Sequence, residues 1–114
     1  MSLEIVRDAT TFDDEKRTGR VVLESDIETN PDQAMNELAS VAAKTKALNY
    51  AASCGMIDPR INGNVGHCYP VNVDGKALTE VGVDPKTKKP YPRDHKKMKL
   101  HRYRIEVPVC KKLV

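Results

Sequence analysis

Apolar and polar positions alternate most cleanly near the end of the chain, where Tyr103, Ile105, Val107 and Val109 interleave with Arg102, Arg104, Glu106 and Pro108. A period of two over this length predicts a strand with one inward face and one wet, mostly basic face, and Pro108 predicts an edge or an end of pairing. Residues 3–7 and 20–24 also have strand composition, and the charged stretch 12–19 between them reads as a hairpin loop. Residues 68–73 and 76–83 flank Asp74-Gly75, a pair that favours the type I′ turn of a tight hairpin. Pro70 limits how central the first of these two strands is.

A different period governs residues 31–54. Asn30-Pro31-Asp32-Gln33 offers an N-cap side chain, proline at the first helical position, a carboxylate in the first turn and a glutamine placed to return a capping-box bond. Gly55 follows Cys54 where a left-handed residue ends a helix, and Met56 is placed to pack back on the last turn. One helix is therefore expected over 31–54, about 36 Å long at a rise of about 1.5 Å per residue. At about 100° per residue, Ala34, Leu38, Val41, Ala42, Thr45, Leu48 and Ala52 form its core stripe. Ala39, Ala43, Ala47 and Ala51 form a second row on another flank. Alanine's helix propensity accounts for that row; a second buried face, within the fold or in a homo-oligomer, is the alternative.

Residues 57–66, rich in Asn, Gly and Pro, read as irregular, and the three prolines and many lysines of 84–97 read as an exposed basic loop. The resulting order predicts an α+β fold, with an antiparallel sheet of about four or five strands and one long Ala-rich helix packed across it. A chain of 114 residues is expected to form one domain, 1–114, around one core. Aromatic anchors are few: one Phe, four Tyr and no Trp. No stretch reaches the length of a membrane span, and the amino terminus carries neither a basic nor an apolar leader region, so a soluble, unprocessed, cytoplasmic protein is expected. Cys54, Cys68 and Cys110, odd in number and widely spaced, suit reduced thiols.

Charge changes this picture most. Residues 1–75 hold seven basic and twelve acidic side chains, whereas 76–114 hold twelve basic and four acidic, so a total of +3 conceals a dipolar chain. The basic side chains concentrate at Lys86, Lys88, Lys89, Arg93, Lys96, Lys97, Lys99, Arg102 and Arg104, with His95 and Tyr91 among them. Lysines on a loop feeding a strand with outward arginines can neutralise successive phosphates, and Tyr91 between two prolines offers a stacking face. A solvated loop that merely balances the acidic half is the plainer account. The shortage of aromatics weighs against an extended stacking platform.

The expected function is non-enzymatic binding of a nucleic acid or other phosphate-bearing polyanion through these residues. The alternative is an interaction module, an inhibitor or accessory subunit, docking on an acidic protein surface. Homo-oligomers assembled acidic face on basic face, or through the alanine row, are a further expectation.

Catalysis and metal binding have thin support. Asp58, Asp74 and Lys76 match the outline of a Mg²⁺-dependent nuclease, but hairpin and loop roles already explain them. His67 and Cys68 are adjacent, so on a strand they point to opposite faces, and the cysteines stand far from other ligands. No cofactor or metal is expected.

Overall fold

The computed structural model describes residues 3–66, 68–73, 76–90 and 101–112. Among these the chain forms seven strands and two helices. The strands are β1 (Leu3–Ile5), β2 (Thr11–Phe12), β3 (Thr18–Ser25), β4 (Pro59–Ile61), β5 (Tyr69–Val73), β6 (Lys76–Ala77) and β7 (His101–Lys111); the helices are α1 (Pro31–Leu38) and α2 (Val41–Ser53). All strand pairs are antiparallel, in the order β1-β3-β7-β5-β6, with β2 also on β3 and β4 also on β7.

The alternating strand is the centre of the sheet. β7 pairs with β3 from Thr18↔Cys110 to Glu24↔Arg104, and on its other side with β4 and β5. Its inward residues Tyr103, Ile105, Val107 and Val109 are buried with Val21 and Leu23 of β3. Pro108 is therefore not at an edge, but it does end a run of pairing, since the β4 ladder stops at Ile61↔Val109 and the β5 ladder takes up only at Arg104. The Pro108 carbonyl accepts from Asn62 N (2.9 Å), so its nitrogen, on the same side of the strand, faces the 62–66 connection rather than β3. A proline costs a sheet nothing where no neighbouring strand needs its N–H. Pro70 is placed likewise: its carbonyl accepts from Gly82 N (2.9 Å), and the register shifts between Pro70 and Asn72.

The single helix expected over 31–54 is two. Ser40 is extended (φ −67°, ψ 164°); its hydroxyl donates to Glu37 O at 2.7 Å and accepts from Ala43 N at 3.2 Å. One side chain thus ends α1 and caps α2, competing locally with the helical bonds it replaces. The break rephases the chain. Ala34 and Leu38 face the sheet from α1, but in α2 the buried residues are Ala43, Ala47 and Ala51, and Val41 of the expected stripe is 80% exposed. The alanine row is therefore a core face within the fold. The outer ends are as expected: Asn30 accepts from Gln33 N at 2.8 Å, and Gly55 (φ +103°) lets Met56 N reach Ala51 O at 3.1 Å. Gln33 does not close a capping box; its amide lies 3.5 Å from the Glu37 carboxylate.

Two strands beyond the five segments expected, β2 and β4, come from short stretches, and a third, β6, is shorter than expected. Residues 3–12 form one edge interrupted by a 3-10 turn at Arg7–Ala9, so both β1 and β2 lie on β3. The loop expected over 12–19 shrinks to 13–17, closed by Asp13 N to Thr18 O (3.0 Å) and by the Asp13 carboxylate on Arg17 N (2.6 Å). β4 begins at Pro59, the strand position where a missing N–H is tolerated, within a segment whose composition suggested only loop. The strand expected over 76–83 keeps only Lys76–Ala77; Asp74 and Gly75 lie outside the described residues, although Val73↔Lys76 pairing leaves just those two between the strands.

Thr10 repairs the interrupted edge. Its hydroxyl donates to Val6 O (2.8 Å) and accepts from Val22 N (3.0 Å), an amide of a residue only 2% exposed. Thr10→Val keeps the shape and leaves that amide unsatisfied, so a loss of about 1 to 2 kcal/mol is expected in urea unfolding. An unchanged midpoint would show that water serves the amide instead.

Candidate functional site

Of the sequence-derived binding residues, Tyr91, Arg93, His95, Lys96, Lys97 and Lys99 lie outside the described residues. The other five fall into two groups. Lys86, Lys88 and Lys89 are exposed on a compact turn, and Arg102 and Arg104 project from β7 on the sheet face opposite the helices.

Asp84 builds the lysine turn. Its carboxylate accepts from Lys86 N at 2.9 Å, its carbonyl from Lys88 N at 2.7 Å, and its own N–H donates to Lys89 O at 3.0 Å. A bridge between Val83 and Pro90 closes the base, and Lys88 takes the left-handed conformation (φ +58°) that the tight path requires. The start of the expected 84–97 loop is thus an ordered turn. No ion pair among the described residues involves Lys86, Lys88 or Lys89.

The arginines are placed differently. Arg104 lies opposite Glu24 of β3 and meets its carboxylate at 3.2 Å; Arg102, two residues along the same face, reaches the other oxygen at 4.0 Å. Their side chains are only 21% and 36% exposed. The basic face read from β7 is therefore partly neutralised, and by an acid from the first third of the same chain. Farther along this face Glu106 holds Arg20 at 3.5 Å. Opposite charges at paired or diagonal sheet positions stabilise the register, each by less than about 1 kcal/mol.

The chain that leads into the lysine turn touches the arginine face at Tyr69. This tyrosine is the β5 partner of Arg104, and Gly82 (φ +79°) sits against its ring, where an added Cβ would come within 3.1 Å of Cδ1. Asp84 starts the lysine turn two residues later. On the outer face beside Tyr69, Asn72 pairs with Arg102. Buried atoms without a hydrogen-bond partner cluster here: Nε of Arg102, Nε of Arg104 and Oδ1 of Asn72. Sequence reasoning missed Asn72 and Glu24, which only the register brings to the arginines.

An open hollow of about 740 Å³ lies at the other end of this face, lined by Thr11, Asp13, Thr18, Arg20, Asn62 and Glu106 among others. Two carboxylates against one guanidinium make it a poor anion site. His101 is buried (1% exposed), with its backbone bonded to Thr29 and its ring 6.0 Å from that of Tyr103, so its place is structural. His67 and Asp74 lie outside the described residues, while Asp58 is bound to Arg60 at 3.3 Å. Among the described residues no three His, Cys, Asp or Glu side chains group as metal ligands. Burial pushes the Cys68 thiol up to about 12, so it stays protonated and is no nucleophile at neutral pH. Among the described residues no helix is long and apolar enough to cross a membrane.

Comparison of the chain with protein-family models, with curated proteins and with solved structures gives no match, so any functional reading rests on this geometry alone.

Proposed function

We propose that the protein binds a nucleic acid through the segment from Lys86 to Arg104, making sequence-independent contacts with phosphates. The observation that carries this reading is the lysine turn: three exposed cations on an ordered backbone, with the local carboxylate of Asp84 turned onto the Lys86 amide and its carbonyl onto that of Lys88. An ordered turn presents charge at lower entropic cost than a free loop, and like-charged side chains stay close together on a protein only where their repulsion is screened or compensated. In sequence, residues 86–104 hold nine basic side chains and one acid, Asp94, a density that matches a phosphodiester backbone. Binding of this kind needs no catalytic group and no metal.

The test is a fluorescence-anisotropy titration of the full chain against single-stranded and duplex DNA and RNA at several salt concentrations. Affinity should fall steeply with salt. In the triple variant Lys86→Glu, Lys88→Glu and Lys89→Glu, the slope of log K against log salt on a single strand should lose about 2, at about 0.7 per phosphate contact. Absence of binding at 50 mM salt, or a slope untouched by the three reversals, overturns the reading. Capture of a discrete acidic protein by the same lysines, without nucleic-acid affinity, would place the protein among interaction modules instead.

A further inference from the structure

We propose that the outer face of the sheet holds a second phosphate subsite for single-stranded nucleic acid, formed by Arg102 and Arg104, and that Glu24 closes it as an internal competitor. This deepens the nucleic-acid reading and rests on it. A carboxylate flanked by two guanidiniums occupies the place of a phosphodiester oxygen pair, since both anions accept from the same planar fork of donors. The Glu24 oxygens are divided between the two arginines at 3.2 and 4.0 Å, so neither guanidinium is held as a two-bond fork. Both Nε–H donors are buried and unused, as is the Asn72 Oδ1 acceptor at the next position across the sheet. Buried polar atoms are almost always satisfied, and of these three the two Nε–H donors match a phosphodiester, which offers only acceptors and reaches them once the arginines turn outward from Glu24.

Position supports the same occupant. The patch joins the lysine turn through the contact of Gly82 with Tyr69, the strand partner of Arg104. A strand held by the turn is thereby brought toward the two arginines. Backbone phosphates of a single strand can follow a surface only a few residues wide, whereas a duplex needs a longer track of matching curvature. A phosphate that displaces Glu24 gains both arginines, and the freed carboxylate turns to solvent from a site where it is already 22% exposed. Until then Glu24 lowers the affinity of the face for anions in general, including counter-ions.

Glu24→Gln removes the competitor and keeps the side chain's size. It should raise affinity for a single-stranded homopolymer about tenfold at moderate salt and steepen the salt slope by about 0.7, the value of one further phosphate contact. Glu106→Gln is the control, because it makes the same change in net charge on the same face but releases Arg20, already 68% exposed. It should raise affinity less than about threefold. Should Glu24→Gln fail to fold, Arg102→Gln gives a separate reading: its ion pair is 4.0 Å long and its side chain 36% exposed, so the melting temperature should hold while single-strand affinity falls further than in Arg20→Gln, which loses the same charge outside the subsite. Equal gains in Glu24→Gln and Glu106→Gln, or equal losses in Arg102→Gln and Arg20→Gln, overturn the subsite and leave the lysine turn standing. No binding by either the native chain or Glu24→Gln at low salt overturns both.

Discussion

Ala47→Leu is expected to cost the fold about 3 kcal/mol, while Ala42→Leu five residues earlier costs less than about 0.5 kcal/mol. Ala47 is fully buried between Ala43 and Ala51, and these three methyls are what α2 places against the sheet. Three extra carbons at the middle of that contact must either push the helix off β3 and β7 or force poor rotamers, and overpacking of this kind typically costs about 1 to 3 kcal/mol. Ala42 is exposed, so leucine there meets water. An uninterrupted helix over 31–54 would reverse the two results, because its core stripe contains Ala42 and not Ala47. Urea unfolding of both variants with the native chain decides the matter, and a larger loss for Ala42→Leu would rule out the break at Ser40.

Leu38→Ala should lose about as much by the opposite route. Leu38 is among the largest fully buried side chains and the principal apolar group that α1 contributes to the core. With α2 supplying buried alanines, the helix layer has few carbons to spare, so the void left by Leu38 has few neighbours able to collapse into it. Leucine-to-alanine changes at such sites cost about 2 to 5 kcal/mol, depending on that collapse. About 3 kcal/mol corresponds to a fall of roughly 12 °C in Tm for a chain of this size. Calorimetry of Leu38→Ala beside Val41→Ala, whose native side chain is 80% exposed, should show the first fall and almost none in the second. Equal shifts would mean that α1 carries little of the core's stability.

The strand at the centre was legible because its alternation runs unbroken over 102–109, and both ends of the helical region were legible because Asn30, Pro31 and Gly55 each have one strong conformational preference. The break at Ser40 was hidden. Serine is acceptable inside a helix, and only the packing of Ala43, Ala47 and Ala51 against the sheet gives its capping conformation an advantage. Pro108 misled for a related reason: a missing N–H says that one side of a strand lacks a donor, not which side has a neighbour. β2, β4 and β6, at two, three and two residues, are too short to carry a period and exist only through the strands beside them. Of the candidate site, the exposed lysines were plain from composition. Pairing of Arg102 and Arg104 with Glu24 was not, since it joins residues 80 apart in the chain for Arg104 and is set by the register of β3 on β7.

That register also sets the order in which the protein can assemble. β7 is the last described strand along the chain and the one to which β3, β4 and β5 all bond, so the sheet has no interior until residues 101–111 arrive. Before then β3 offers a long unsatisfied backbone edge, with Val21 and Leu23 open on one face and no Ile105 or Val107 beside them. Folding dominated by such distant pairings is slow, and during synthesis it waits for nearly the whole of this chain to clear the ribosome. The interval before closure, with that edge and its apolar face uncovered, is when the protein is most exposed to self-association.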